Sequence, residues 1–197
     1  MGNSSSHHHQ KYTKKDFENL AKMTHFTAEQ ISILHHRFSA VSNSDTHDNK
    51  INVSEFRQAL DIPSTGFTER IFSAFDTDKS QQIEFDEFVF GLSALSQKAT
   101  VEEKAKFCFL VYDIDENHTI DKQELTQILT FSMGQNTSIH LSDDQINKIV
   151  DSTFKKMDKN HDGGISLDEF TQCAKENPQI LNCVNLNLDD IFKKYES

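Results

Sequence analysis

Tryptophan is absent from this 197-residue chain, prolines number two and cysteines three. Without tryptophan, the sixteen phenylalanines carry most of the aromatic core. Cys108, Cys173 and Cys183 make an odd count with no framework spacing, which excludes a disulfide scaffold and fits a reducing compartment. No apolar run approaches the roughly 20 residues of a membrane span, and no secretory signal peptide is visible. Basic charge is scarce: 20 Lys and Arg face 31 Asp and Glu, for a net charge of −11. That balance argues against a nucleic-acid binder. Nor is there a nucleophile–base constellation of the kind an enzyme needs. The acidic residues fall instead at metal-ligand spacing.

What is present is best seen from Asp158 to Glu169. Oxygen-bearing side chains stand at positions 1, 3 and 5 of this stretch (Asp158, Asn160, Asp162), Gly163 follows at position 6, Ile165 at position 8 and Glu169 at position 12. This is the twelve-residue EF-hand loop, in which the position-7 carbonyl, here that of Gly164, adds a further oxygen. A hard cation such as Ca²⁺ takes six to eight oxygens at about 2.3–2.6 Å, and alternating positions of a tight loop supply them. Glycine at position 6 allows a positive φ without a Cβ clash.

The motif repeats. Asp113, Asp115, Asn117, Thr119 and Glu124 occupy the ligand positions of a second copy, with Asp121 at position 9 and His118 at the turn. Asp76, Asp78, Ser80, Gln82 and Glu87 do so in another, with Gln81 at the turn. A poorer copy ends at Glu55; it begins at Ser44 if read as twelve residues, with Thr46 and Asp48 inside, or at Ser42 if read as fourteen. In chain order these are the first (Glu55), second (Glu87), third (Glu124) and fourth (Glu169) loops. Each has isoleucine at position 8 (Ile51, Ile83, Ile120, Ile165). That residue can form a short two-strand ladder with a neighbouring loop, so the loops come in pairs. The expected binding order is fourth, third, second, with the first empty or weakly occupied.

Helical spacing flanks every loop: Ile31, Leu34, Phe38 and Val41 before the first, Phe85, Phe88, Val89 and Leu92 after the second, Ile146, Ile149, Val150 and Phe154 before the fourth. Thr27, Thr68 and Ser142 are candidate caps, and His35 and His36 fit a helix surface. The expected fold is all-α, calmodulin-like: two lobes of paired EF-hands with short β ladders between loops and a C-terminal helix. The boundaries read as an N-terminal segment 1–26, an N-lobe 27–98, a C-lobe 99–177 and a tail 178–197. Met1-Gly2-Asn3-Ser4-Ser5-Ser6 fits the myristoylation signal on Gly2, followed by Lys11, Lys14 and Lys15. The competing reading is a leader sequence, because a Ser-rich stretch precedes His7-His8-His9. In the tail, Leu186, Leu188, Ile191 and Phe192 are expected to fold onto the groove of the second lobe.

The Met-Gly-Asn start, the helix over 27–41, the run Phe75-Asp76-Thr77-Asp78, the segments 85–91 and 103–113 and the fourth loop together resemble the calcineurin B and calcineurin B-like family of four-EF-hand sensors. The long first loop and Asn177-Pro178-Gln179-Ile180-Leu181 are similar to the calcineurin B-like side. The resemblance implies a non-enzymatic Ca²⁺ sensor that grips an amphipathic helix of a protein kinase or phosphatase in a hydrophobic groove. With myristoyl-Gly2 it would be cytoplasmic and partly membrane-associated. Two other classes stay open: a structural subunit of a ciliary or dynein-docking complex, and a Ca²⁺ buffer with no groove.

Overall fold

The structure, a computed structural model, describes residues 12–42, 49–62, 66–134, 141–181 and residue 192. Among them run α1 (Lys14–Met23), α2 (Ala28–Ser42), α3 (Val53–Leu60), α4 (Gly66–Phe75), α5 (Phe85–Ala94), α6 (Val101–Tyr112), α7 (Lys122–Gly134), α8 (Asp143–Met157), α9 (Leu167–Glu176) and a 3₁₀ turn Pro178–Leu181. The architecture is all-α, as the periodicity required. The only extended pairing among the described residues is two isolated antiparallel bridges, Ile51 with Ile83 and Ile120 with Ile165. Each is closed by two backbone hydrogen bonds of 2.8–3.0 Å. No described helix is long and apolar enough to cross a membrane.

Local chemistry explains most helix starts. Thr27 and Gln30 exchange side-chain-to-backbone bonds at the head of α2, and Ser142 with Gln145 makes a capping box on α8. Thr68 is not a cap: α4 begins earlier, at Gly66, and Thr68 is buried within its first turn. α1 has no counterpart in the periodicity reading and lies within the 1–26 segment. Thr13 and Asp16 cap it, and Leu20 is its buried residue.

Two apolar clusters form. The first gathers Ile31, Leu34, Phe38, Phe56, Phe75, Phe85, Phe88 and Leu92; the second gathers Cys108, Phe109, Phe154, Met157, Phe170 and Ala174. The split does not follow the chain. α6 sends Phe107 and Val111 into the first cluster and Ala105, Cys108 and Phe109 into the second, and Ile128 of α7 joins the first. The run 107–112 is apolar all round, the pattern of a helix buried on more than one side.

Two expectations change. His36 is exposed, but His35 is half-buried among Tyr12, Phe17 and Phe85, with ring centroids 4.8–5.4 Å away. Burial pulls the His35 pKa down. Phe192 lies against Phe26 in the first cluster, centroids 5.7 Å apart, rather than on the second lobe. Leu186, Leu188 and Ile191 lie outside the described residues. Leu181 does pack into the second cluster, so the start of the tail and Phe192 attach to different clusters.

Candidate metal centres

The four loops share one backbone device. Six residues before each closing glutamate sits a residue at positive φ: Asn49 at 58°, Gln81 at 64°, His118 at 68° and Gly163 at 93°. Only the last is glycine, so three side-chain-bearing residues hold a left-handed conformation that only Gly adopts freely.

The closing glutamates have a second task. In the third loop, Glu124 Oε1 accepts the Ile114 and Asp115 amides at 2.6 and 3.2 Å, and Oε2 accepts the Asp121 amide at 2.8 Å. Glu87 binds the Thr77, Asp78 and Glu84 amides in the same way, and Glu169 those of Lys159, Asn160 and Ser166. Each therefore pins the loop entrance to the N-terminus of the exiting helix, where orphan amides need acceptors. At the other end, Asp76 accepts the Ser80 and Gln81 amides and Asp113 the Asn117 and His118 amides, at 2.8–3.1 Å. These bonds hold the carboxylates inward.

In the second and third loops ligand oxygens converge as a hard cation requires, whereas Asp158, Asp162 and Glu169 of the fourth are not drawn together to the same degree. Carboxylate oxygens of Asp76, Asp78 and Glu87 lie within 4.8 Å of one another, as do those of Asp113, Asp115 and Glu124. Asp76 is buried and its pKa is raised by that burial. Hydrogen bonds from Ser80 lower that of Asp78, and amide bonds, led by that of Ser166, lower that of Glu169. In the fourth loop Asp158 is buried, with Oδ1 bonded to no protein group and Oδ2 accepting the Gly163 amide at 3.2 Å. A buried carboxylate oxygen without a partner is costly, and a cation at this position would relieve it. Ser80 donates to the Gln82 carbonyl, and Thr119 to Asn117 Oδ1. A Cβ on Gly164 would lie 3.0 Å from Thr119 Cβ, so the two position-7 residues of this loop pair meet. The donor set is all oxygen and fits Ca²⁺.

The first loop holds what the sequence did not disclose. Glu55 is 2% exposed, Oε2 accepts the Asn52 amide at 2.9 Å, and Oε1 has no partner; Ser42 Oγ is likewise buried and unpaired. Ser44, Thr46 and Asp48 lie outside the described residues, as does Gly2.

A second feature is apolar. A cavity of about 230 Å³ opens between α7, α8 and the 3₁₀ turn, lined by Tyr112, Leu125, Leu129, Ile149, Met157 and Ile180 among others. Ile149 stays 41% exposed at its rim. The Tyr112 hydroxyl reaches the Ile180 carbonyl at 3.4 Å. Ile149 and Leu129 were legible as apolar helix positions, but nothing in their spacing showed that they face an opening.

Comparison with known proteins agrees with this geometry. A family model described as an EF-hand domain pair matches residues 102–175. The chain is 35% identical over 170 residues to the type 1 calcineurin B of Dictyostelium discoideum, covering 86% of this chain and 89% of the relative. It is 35% identical over 154 residues to calcineurin B of Schizosaccharomyces pombe, covering 78% and 85%, and 33% identical over 152 residues to the type 2 calcineurin B of Bos taurus, covering 77% and 86%. Loop geometry, oxygen donors and these similarities over most of the chain converge: it belongs to the calcineurin B family of EF-hand proteins, which bind Ca²⁺ and are not enzymes.

Proposed function

We propose that the chain is the Ca²⁺-responsive regulatory subunit of a calcineurin-type phosphatase, holding an amphipathic helix of the catalytic chain in the cavity beside α7 and α8. The relatives' name, calcineurin B, favours a phosphatase partner over a kinase. The observation that carries the helix is the cavity itself, apolar and open, with Ile149 half in water. An amphipathic helix lays its apolar face into such a groove, and Ca²⁺ on sensor EF-hands opens one. A buffer needs no groove, and a purely structural subunit needs no Ca²⁺-dependent one.

The ligands we assign are Asp158, Asn160, Asp162, Gly164 and Glu169; Asp113, Asp115, Asn117, Thr119 and Glu124; and Asp76, Asp78, Ser80, Gln82 and Glu87. At position 7 of each loop the ligand is a backbone carbonyl, that of Gln82, Thr119 or Gly164. The loops pair as 27–98 and 99–177. Myristoylation of Gly2 would add weak, reversible membrane attachment to a cytoplasmic protein; intact mass after co-expression with an N-myristoyltransferase reads it directly.

The groove is tested by calorimetric titration of two peptides, one from the helix of a calcineurin catalytic chain that calcineurin B grips and one from a kinase, with Ca²⁺ and with chelator. The phosphatase peptide should bind the Ca²⁺-loaded chain, and Ile149→Asp should weaken it at least tenfold, since burying an Ile contributes roughly 1.5–3 kcal/mol. Unchanged affinity in Ile149→Asp would remove the groove from the mechanism, and preference for the kinase peptide would replace the partner.

A further inference from the structure

The third loop is built partly by the first EF-hand pair. Arg70 of α4 reaches the C-terminal end of α6. Its Nη2 donates to the carbonyls of Leu110 and Asp113 at 3.2 and 2.8 Å, and its Nε to that of Val111 at 3.4 Å. Carbonyls in the last helical turn have no intrahelical donor, and a cation there complements the helix dipole. Here the donor comes from a helix that precedes the second loop. Burial lowers the Arg70 pKa, and the carboxylates of Asp113 and Glu124 oppose that, which places the guanidinium in their field.

Two further contacts cross at the same place. Ile114, at position 2 of the third loop, packs against the first cluster while its amide holds Glu124 Oε1. The matching residues of the second and fourth loops, Thr77 and Lys159, are polar and exposed. Lys79 and Glu116, at position 4 of the second and third loops, form an ion pair. An exposed pair of this kind contributes little energy by itself, but it shows that the loops face each other.

We infer that Arg70 is a positioning residue that couples Ca²⁺ binding in the second and third loops. This rests on the Ca²⁺ reading of those loops. Filling the second loop fixes the end of α4, where Phe75 leads into Asp76. That holds the Arg70 fork over α6, and the third loop then has less left to order. Coupling between binding sites is reciprocal.

The test follows the backbone amides of Ile83 and Ile120 by NMR through a Ca²⁺ titration, each checked against the Gln81 or His118 amide, which bonds only the first aspartate of its own loop. Disabling the second loop with Glu87→Gln should weaken the Ile120 response about five-fold or more in the otherwise native chain. In an Arg70→Gln background the same change should move Ile120 less than about two-fold. A residue with a purely structural role would leave that factor unchanged. Ile114→Thr, which installs the residue type of the second loop, should lower the coupling independently, so the inference does not hang on one variant folding. Arg70→Lys keeps the charge but not the fork, and should leave the coupling broken. Full coupling in Arg70→Lys, or an Ile120 midpoint indifferent to Glu87→Gln while Ile83 titrates, would overturn the inference. If Ile83 does not respond to Ca²⁺ at all, the assignment of the second loop falls, and the coupling with it.

Discussion

At the scale of single residues, position 6 distinguishes the loops. Gly163 takes its positive φ freely, whereas His118 holds 68° with a side chain, at a penalty of roughly 1 kcal/mol. His118→Gly should therefore tighten the third loop several-fold, as read by the Ile120 amide in a Ca²⁺ titration; an unchanged midpoint would show that the strain is not borne there. The fourth loop combines free turn geometry with a buried, unpartnered Asp158 oxygen. Glu169→Gln should accordingly abolish the tightest phase in calorimetry. Glu55→Gln should leave that phase intact and alter at most a weak one, although the buried Oε1 of Glu55 gives the first loop a stronger ligand than its sequence advertised. Loss of the tightest phase from Glu55→Gln, with Glu169→Gln silent, would reverse the order.

Among the elements, the closing glutamate explains why loop and exiting helix behave as one unit. Glu87 and Glu169 each complete a capping box on the following helix, and Glu124 makes the same exchange with Asp121. Helix start and metal loop thus share a side chain, and motion of one reaches the other. The close approach of α4 and α5 depends on Gly91, where an added Cβ would fall 2.3 Å from the Phe75 ring. Gly91→Ala should destabilise the protein by about 1–3 kcal/mol through overpacking, measured by urea denaturation with Ca²⁺ held constant. A neutral result would mean that Phe75, whose ring also meets Phe56 and Phe107, can turn aside at little cost.

For the whole molecule, the shared cluster matters more than the division into two pairs. Phe107 and Val111 of α6 and Ile128 of α7 sit in the core that α2 to α5 build. A Cβ on Gly66 would meet the Phe131 ring at 3.1 Å, a close approach between α4 and α7. His25 adds another tie, pairing with Glu103 at 2.9 Å while its amide donates to Ser93 Oγ. Thermal unfolding of the Ca²⁺-loaded chain should accordingly be one transition, with calorimetric and van't Hoff enthalpies equal. Two resolved transitions, one per EF-hand pair, would contradict the shared core.

Much of this was legible in the chain because it is local. Each metal loop lies within a dozen consecutive residues, its turn position and ligand spacing are set by backbone geometry, and the position-8 isoleucines announce the bridges Ile51–Ile83 and Ile120–Ile165. Helices α2, α5 and α8 followed from the spacing of their apolar residues. Periodicity says which face of a helix is buried, however, and not against what. Tertiary structure alone decided that α6 serves two cores, that His35 is packed among aromatics and that Phe192 rests on Phe26. It also decided that Arg70 caps a helix some forty residues away, with sequence separations of 40 to 43. The run 107–112, apolar on every side, carries no preferred face, so only the packing of its neighbours could assign each residue to a core.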